Sequence, residues 1–115
     1  MVTQGTAALV FEAVSDGTRR AILDLLRRQE EMPAGAIAAR FPVSRPAVSR
    51  HLRVLREAGL VEVRQDAQRR VYSLRPEPLA EIDEWLDRCR ALWGQHMDAL
   101  HTEIARGKRE RRSPR

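Results

Sequence analysis

One segment near the middle of the chain, residues 44–59, reads as a capped helix with two unlike faces, and it limits the possible folds more than any other feature. Ser44 can cap the helix N-terminus, Pro46 is tolerated in the first turn, and Gly59 can adopt the left-handed conformation that ends a helix. At about 100° per residue, apolar side chains fill one arc and arginines fill the opposite arc. We therefore expect a helix from residue 45 to about residue 58, whose apolar face packs on a core and whose basic face is left for a partner.

The segments on either side of this helix predict a helix-turn-helix followed by a β-hairpin. Residues 33–41 indicate a short helix, and Pro42 with Val43 leaves just enough chain for a tight turn into the basic helix. Residues 60–64 and 70–74 alternate apolar and polar side chains around a polar turn, as paired strands do. A hairpin directly after a recognition helix is a wing. The predicted fold is mainly α with a small β-hairpin wing, a winged helix-turn-helix with about five helices.

Charge is distributed unevenly along the chain, which supports a DNA-binding role for the same region. Residues 40–75 carry nine basic and three acidic side chains, whereas residues 76–105 carry two basic and seven acidic ones. The stretch 106–115 carries six basic and one acidic and is too polar to pack, so we expect residues 1–105 to form one domain and residues 106–115 a disordered basic tail. Such a tail either contacts flanking phosphates or only aids solubility.

Three segments together resemble the ArsR (ArsR/SmtB) family of bacterial winged-helix repressors. They are residues 11–26 (FEAVSDGTRRAILDLL), residues 44–60 and residues 69–74 (RRVYSL), and the likeness extends over roughly residues 7–104. The family usually has proline where Gly17 stands, a departure that should only loosen the start of the second helix. The resemblance implies a homodimeric repressor that binds a pseudo-palindromic operator in double-stranded DNA and that a signal often releases.

The basic face of the central helix supplies the candidate base-reading side chains. In such a dimer the two recognition helices would lie about 34 to 36 Å apart, each in a major groove. Arginine there pairs with O6 and N7 of guanine. Arg56, farther along the helix, is expected to reach a phosphate or an acidic neighbour, and His51 falls in the apolar arc and is interpreted as packed and hydrogen-bonded. The predicted recognition-helix residues are Ser44, Arg45, Ser49, Arg50, Arg53 and Arg56.

The predicted wing carries a second group of candidate DNA contacts that position the protein more than they specify sequence. Strand alternation should turn one of two adjacent arginines, Arg69 and Arg70, toward the protein. The remaining side chains could reach the DNA backbone or the minor groove. The predicted wing contacts are Arg64, Gln68, Arg69 and Arg70.

A long C-terminal helix, from residue 77 to about residue 105, is predicted to form a homodimer together with the first helix. Its apolar side chains recur at alternating steps of three and four, and a helix roughly 40 Å long exposes part of such a stripe on a monomer. An ordinary core helix, or one that binds another amphipathic partner, is the alternative interpretation. The predicted interface residues are Val10, Phe11, Val14, Ile82, Trp85, Leu86, Cys89, Trp93, Met97 and Leu100.

Sensor sites known in this family are absent or incomplete in the sequence. Relatives that sense soft metals have a cysteine pair before the turn, but residues 32–37 contain no cysteine, which excludes a thiolate site there. Other relatives bind zinc-like metals between paired C-terminal helices. Asp87, Asp98 and His101 share one side of the helix here, although Glu103 points elsewhere. We therefore expect no metal and no cofactor, as in the branch of the family that does not sense metals, and the sequence names no small-molecule effector.

The sequence allows alternative functions besides this repressor. A metal- or redox-responsive repressor of the same family is one alternative, but Cys89 lies on the apolar stripe without a resolving cysteine and is interpreted as a packed thiol. A winged-helix module that binds protein is another, against which the basic recognition face argues. With three histidines, one cysteine and no Gly-rich phosphate loop, we expect no enzyme. No apolar run approaches a signal sequence or membrane span, so we expect a cytoplasmic protein without a membrane partner.

Overall fold

The computed structural model describes the backbone of residues 2–112 and the side chains of residues 7–94, 96 and 98–107. This part of the chain forms five α-helices, a three-stranded antiparallel sheet and one short 3-10 helix. The chain divides into two compact units, Met1–Ile82 and Asp83–Arg115. The helices are α1 Val2–Val14, α2 Gly17–Gln29, α3 Ala34–Ala38, α4 Arg45–Glu57 and α5 Ala80–Arg112, the strands are β1 Glu31–Pro33, β2 Val61–Asp66 and β3 Arg69–Leu74, and the 3-10 helix is Glu77–Leu79.

Helix α4 is the basic helix expected from the sequence, and its local signals act as predicted. The Ser44 hydroxyl accepts a hydrogen bond from the backbone N–H of Ala47 at 3.2 Å, and Pro46 stands in the first turn. Gly59 follows the helix with φ of +77°, in the left-handed region that favours glycine. Predicted and observed helices agree to within one residue at the C-terminal end.

The core of the first unit forms where α2, α3 and α4 close over the sheet. Ile22, Ile37 and Leu55 are completely buried, and burying each such side chain stabilises the fold by about 1.5–3 kcal/mol. The apolar arc of α4 supplies three of the core side chains, which fixes its opposite face toward solvent. The core residues are Ala13, Ile22, Leu25, Leu26, Met32, Ile37, Val48, Leu52, Leu55, Ala58, Leu60, Val61 and Tyr72.

The sheet contains the predicted hairpin and one strand that the sequence did not indicate. Its order is β1-β3-β2, and β2 pairs with β3 from Val61 opposite Leu74 to Asp66 opposite Arg69. Strand β1 is only three residues long, and its register places Met32 opposite Tyr72. Three residues are too few for alternation to be visible, so only pairing with β3 defines this strand.

Helix α2 begins at Gly17, the position where the resembled family usually has proline. The Asp16 carboxylate caps the helix by accepting the backbone N–H of Arg19 at 3.0 Å. That hydrogen bond is the main cause that lowers the pKa of Asp16 from its ordinary value. The cap therefore defines the helix start even without proline.

Helix α5 differs from the sequence prediction at both ends. A 3-10 helix precedes it, and the helix continues through Arg112, where the sequence predicts a disordered tail from residue 106. Arginine, lysine and glutamate are good helix formers, so a polar composition does not by itself end a helix. The helix is kinked at Trp93, with φ of −119° and ψ of 20°. Residues 113–115 of the predicted tail lie outside the described residues. Among the described helices, none is both long and apolar enough to span a membrane.

Candidate nucleic-acid interface

The exposed face of α4 is a row of arginines without acidic partners. Arg45, Arg50, Arg53 and Arg56 are all exposed, and no described carboxylate lies within ion-pair distance of any of them. The sequence left two roles open for Arg56, contact with a phosphate or with an acidic neighbour. No described acidic side chain pairs with it, which leaves the phosphate. Unpaired guanidinium groups on one face produce a positive potential that is free to act on an anionic partner.

A groove of about 250 Å³ separates α4 from the wing and gathers three of the interface arginines. Arg53 and Arg56 line it from α4, and Arg70 lines it from β3. Arg70 is two residues from Tyr72 and so shares its face of the sheet, although both Arg69 and Arg70 are exposed. The complete lining is Ala34, Ser49, Leu52, Arg53, Arg56, Arg70 and Tyr72.

A second depression of about 370 Å³ lies between the start of α3, the start of α4 and the wing tip. Arg45 reaches it from α4, while Gln68, Arg69 and Arg70 reach it from the hairpin. Ser44 and Ser49 are both exposed, and the hydroxyl of Ser44 already serves as the N-cap. Most of the predicted recognition-helix and wing residues line one of these two adjoining depressions, but Ser44, Arg50 and Arg64 line neither.

Two wing arginines are held in place by ion pairs. Arg64 reaches across β3 to the carboxylate of Glu31 on β1 at 2.7 Å, and this contact raises the pKa of Arg64 from its ordinary value. Arg69 pairs with Asp66 across the hairpin turn at 3.1 Å. Both pairs are exposed to solvent, where ion pairs are weak, so a phosphate can exchange for the carboxylate. Sequence reasoning missed Glu31 because its partner is 33 residues away.

Behind the arginine face, a buried polar contact ties α4 to the first two helices. His51 is mostly buried on the inner side of α4, as predicted, and its Nδ1 atom lies 3.2 Å from Nη1 of Arg19. Arg19 itself is only 9% exposed. The carboxylate of Asp16 lies 3.8 Å from the same ring nitrogen. Sequence reasoning assigned no role to Arg19, since nothing local distinguishes it from the exposed Arg20.

The residues predicted for the dimer interface differ in how far their side chains are exposed. In the first unit Val10 is fully buried, while Phe11, Val14 and Ile82 are half-buried. In the second unit Cys89 is buried and Leu86 half-buried, whereas Trp85, Trp93 and Leu100 are exposed, and the side chain of Met97 lies outside the described residues. Leu92 at 78% and Ile104 at 49% exposure extend the apolar face of α5 beyond the set expected from the sequence.

Two of the acidic residues on α5 considered as metal ligands form ion pairs with arginines. Asp87 pairs with Arg90 at 2.9 Å, and Glu103 pairs with Arg106 at 3.5 Å. Asp98 and His101 do line one depression together, but Arg90 also lines it, and a guanidinium repels a metal cation. Within the described side chains, no three histidine, cysteine or acidic residues meet as a metal-binding group.

Known proteins similar to this chain match it over the region that contains this interface. A family model described as "Helix-turn-helix domain" matches residues 14–64. The HTH-type transcriptional regulator Rv2034 of Mycobacterium tuberculosis is 46% identical over 96 residues, which cover 82% of this chain and 89% of the relative. The transcriptional repressor SdpR of Bacillus subtilis is 42% identical over 77 residues, covering 67% of this chain and 84% of the relative.

Solved structures give the same result at the level of the fold. An ArsR-like transcriptional regulator from Rhodococcus sp. RHA1 matches with a TM-score of 0.69 and 34% identity, covering 89% of this chain and 95% of that one. The homodimeric winged helix-turn-helix DNA-binding domain of a possible ArsR-family regulator from Mycobacterium bovis matches with a TM-score of 0.61 and 28% identity, covering 81% and 87%. The similarity therefore spans the basic helix, the wing and part of α5.

Proposed function

The chain belongs to the ArsR family of winged-helix transcriptional regulators, and from this premise we propose that it is a homodimeric repressor that binds a pseudo-palindromic operator, including one at its own promoter. The observation that carries the proposal is the arginine face of α4, which is exposed and without described acidic partners. The relative SdpR is named as a transcriptional repressor. A surface of unneutralised arginines matches the guanine edges and phosphates of duplex DNA.

We assign base reading to the α4 residues that stand clear of other contacts. Arg45, Ser49, Arg50 and Arg53 are exposed along one side of α4, which enters the major groove with its N-terminal half. Each bidentate pair of an arginine with guanine contributes about 1–3 kcal/mol of discrimination. Ser44 supports this helix by capping it and contributes little to base recognition.

Phosphate contacts are assigned to the rim of the groove and to the wing. Arg56 and Arg70 face each other across the groove, where one phosphodiester oxygen pair can bind between them. Arg64, Arg69 and Gln68 on the hairpin contact the backbone beside the minor groove, the two arginines by exchanging their carboxylate partners for phosphate. These contacts position the dimer and contribute affinity that depends on salt.

A second copy of the chain is the partner that we propose for the apolar face of α5. Leu92, Trp93, Leu100 and Ile104 are each about half exposed or more in the single chain. A face of this kind is typical of an interface, and the relative from Mycobacterium bovis is a homodimer. Two-fold symmetry then accounts for an inverted repeat in the operator.

We further propose that the protein acts through binding alone, without catalysis or a cofactor, and acts in the cytoplasm, where bacterial operators are found. Its relatives in the comparisons are named as transcriptional regulators. The ionisable side chains of the interface are arginines, which remain protonated and therefore serve poorly as general acids or bases.

Footprinting of the DNA upstream of the chain's own gene tests the proposal directly. We expect protection of an inverted repeat, and the same reaction with zinc or a thiol oxidant tests the metal- and redox-responsive alternatives.

Arg50→Ala and Arg53→Ala should each weaken operator binding about 5- to 150-fold and weaken random-duplex binding much less. Arg88→Ala is the matched control, because Arg88 is exposed on α5 and forms no ion pair with a described residue. If affinity for duplex DNA fails to fall with rising salt, a protein-binding role replaces the proposal.

A further inference from the structure

Arg19 is the one strongly buried charged side chain among the described residues, and its guanidinium contacts two other helices. Its Nε donates to the carbonyl of Ala13 at 2.9 Å, and its Nη2 donates to the carbonyl of Glu12 at 2.9 Å. Its third nitrogen, Nη1, meets Nδ1 of His51 at 3.2 Å. A buried charge is costly unless it is hydrogen-bonded, and all three guanidinium nitrogens have partners here.

Two of these contacts lie at the C-terminal end of α1. The carbonyls of Glu12 and Ala13 belong to its last turn, where carbonyl groups have no partner within the helix. A cation at this end is stabilised by the helix dipole as well as by the hydrogen bonds. Arg19 thereby fixes the end of α1 against the start of α2.

The third contact extends this junction to the recognition helix. Arginine has no acceptor atom, so in this hydrogen bond Nη1 of Arg19 donates and Nδ1 of His51 accepts. His51 stands next to Arg50 in sequence and two residues before Arg53. Because successive residues of a helix are about 100° apart, holding His51 inward sets the directions in which Arg50 and Arg53 point.

We propose that Arg19 is a positioning residue for operator recognition, which acts through His51 to fix the rotation of α4 about its own axis. The inference depends on the proposed DNA-binding function and assigns Arg19 no contact with DNA. Reading base edges requires hydrogen bonds placed to within about 0.5 Å, whereas attraction to phosphates depends mainly on charge. Loss of the Arg19–His51 contact should therefore reduce operator affinity and leave affinity for random duplex unchanged.

The test compares two substitutions of His51, one that removes the hydrogen-bond acceptor and one that restores it. His51→Leu keeps the bulk and removes the acceptor, and it should weaken operator binding about tenfold or more, with the affinity for random duplex and its salt dependence unchanged. His51→Asn places an amide oxygen near the position of Nδ1 and should restore most of the operator affinity. A merely structural role for His51 would lower both affinities together, or leave the asparagine variant as weak as the leucine variant, and either result overturns the inference.

A second pair of variants keeps the test decisive if His51→Leu folds poorly. Arg19→Lys retains a cation at the end of α1 but loses the planar fork that reaches His51, so it should show the same selective loss. Arg20→Lys is the matched control, because Arg20 also donates to a carbonyl at the end of α1, Val14 at 2.7 Å, and no described hydrogen bond joins it to α4. Equal operator affinity of the two lysine variants contradicts the inference. If the wild-type protein binds no operator more tightly than random duplex, the proposed function is refuted and this inference with it. If Arg19→Lys and His51→Leu keep the wild-type preference for operator over random duplex, the inference alone is refuted.

Discussion

Asp16 shows how one side chain links local helix capping to the recognition helix. Its carboxylate accepts the N–H of Arg19 and lies near the ring of His51, and the hydrogen bond from that N–H is the main reason that its pKa is lowered. A carboxyl group with a depressed pKa in the folded state stabilises the fold above its pKa in the unfolded chain. That contribution is lost as the pH falls through the folded-state value.

We predict that Asp16→Ala lowers the free energy of unfolding most at neutral pH. The difference from wild type should shrink as the pH falls below about 4, because protonation then removes the same interaction from the wild type. Urea denaturation at a series of pH values measures the difference. Asp83→Ala is the control, since Asp83 is exposed and forms no ion pair with a described residue. A difference for Asp16→Ala that is constant with pH would show that the charge of Asp16 contributes nothing.

Residue roles set by nearby sequence could be predicted, and roles set by distant partners could not. The cap at Ser44 and the turn at Gly59 follow from the conformational preferences of those residues and their immediate neighbours. The contact of Arg19 with His51 spans 32 residues and that of Arg64 with Glu31 spans 33, and no periodicity in the sequence brings these pairs together. The assignment of individual arginines to bases or phosphates stays a prediction.

At the scale of elements, α4 and the hairpin could be predicted from local sequence, whereas β1 and the ends of α5 could not. Helix α4 and the β2–β3 hairpin are long enough to show periods of 3.6 and 2 residues in their apolar side chains. Strand β1 has three residues and is defined by pairing with β3. The polar end of α5 has no apolar stripe to mark it, so its length could not be predicted from hydrophobic pattern.

Helix α2 offers a stabilising substitution at its first residue. Gly17→Pro should raise the free energy of unfolding by about 0.4–1 kcal/mol, because proline restricts the unfolded chain and is tolerated at the first helical position. Asp16 already has the extended conformation required before proline, with φ of −104° and ψ of 134°. Equilibrium urea denaturation measures the change. A loss of stability would mean that the N–H of Gly17 or its backbone angle is required in the folded state.

The end of α4 responds in the opposite direction to a substitution of glycine. Gly59→Ala should destabilise the protein by about 1–2 kcal/mol, since φ is +77° there and an added Cβ would lie 3.4 Å from Cγ of Pro78. Gly107→Ala is the matched control, because Gly107 is within a helix and an added Cβ would meet no atom within 4 Å. Thermal unfolding of both variants checks the prediction, and equal melting temperatures would contradict the left-handed conformation at Gly59.

At the scale of the whole molecule, charge and apolar surface are separated along the chain. The row of arginines without described acidic partners lies on α4 in the first unit, while the most exposed large apolar side chain that the structure describes, Leu92, belongs to α5 in the second. Duplex DNA and a second protein chain require these two kinds of surface, respectively. The proposed function therefore makes DNA affinity depend on two regions that can be altered independently.

Trp93→Glu is predicted to convert the dimer to a monomer and to abolish tight operator binding. Trp93 is 54% exposed on α5, and a carboxylate buried at an apolar interface without a partner is costly. Operator affinity should fall by a factor of about 100 or more, because two half-sites can no longer be bound by one linked pair of recognition helices. Sedimentation velocity and operator titration at matched protein concentration measure the two effects.

Two further variants decide whether the apolar face of α5, and not a local change at the kink, is responsible. Leu100→Glu lies about two turns along the same face and should reproduce both effects, since Leu100 is 58% exposed. Ala91→Glu adds the same charge at an exposed position about 200° around the helix from Trp93 and should remain dimeric. If Trp93→Glu and Leu100→Glu sediment as dimers, the two copies associate through another surface. The inverted repeat expected in the operator would then need a different pair of helices to set its spacing.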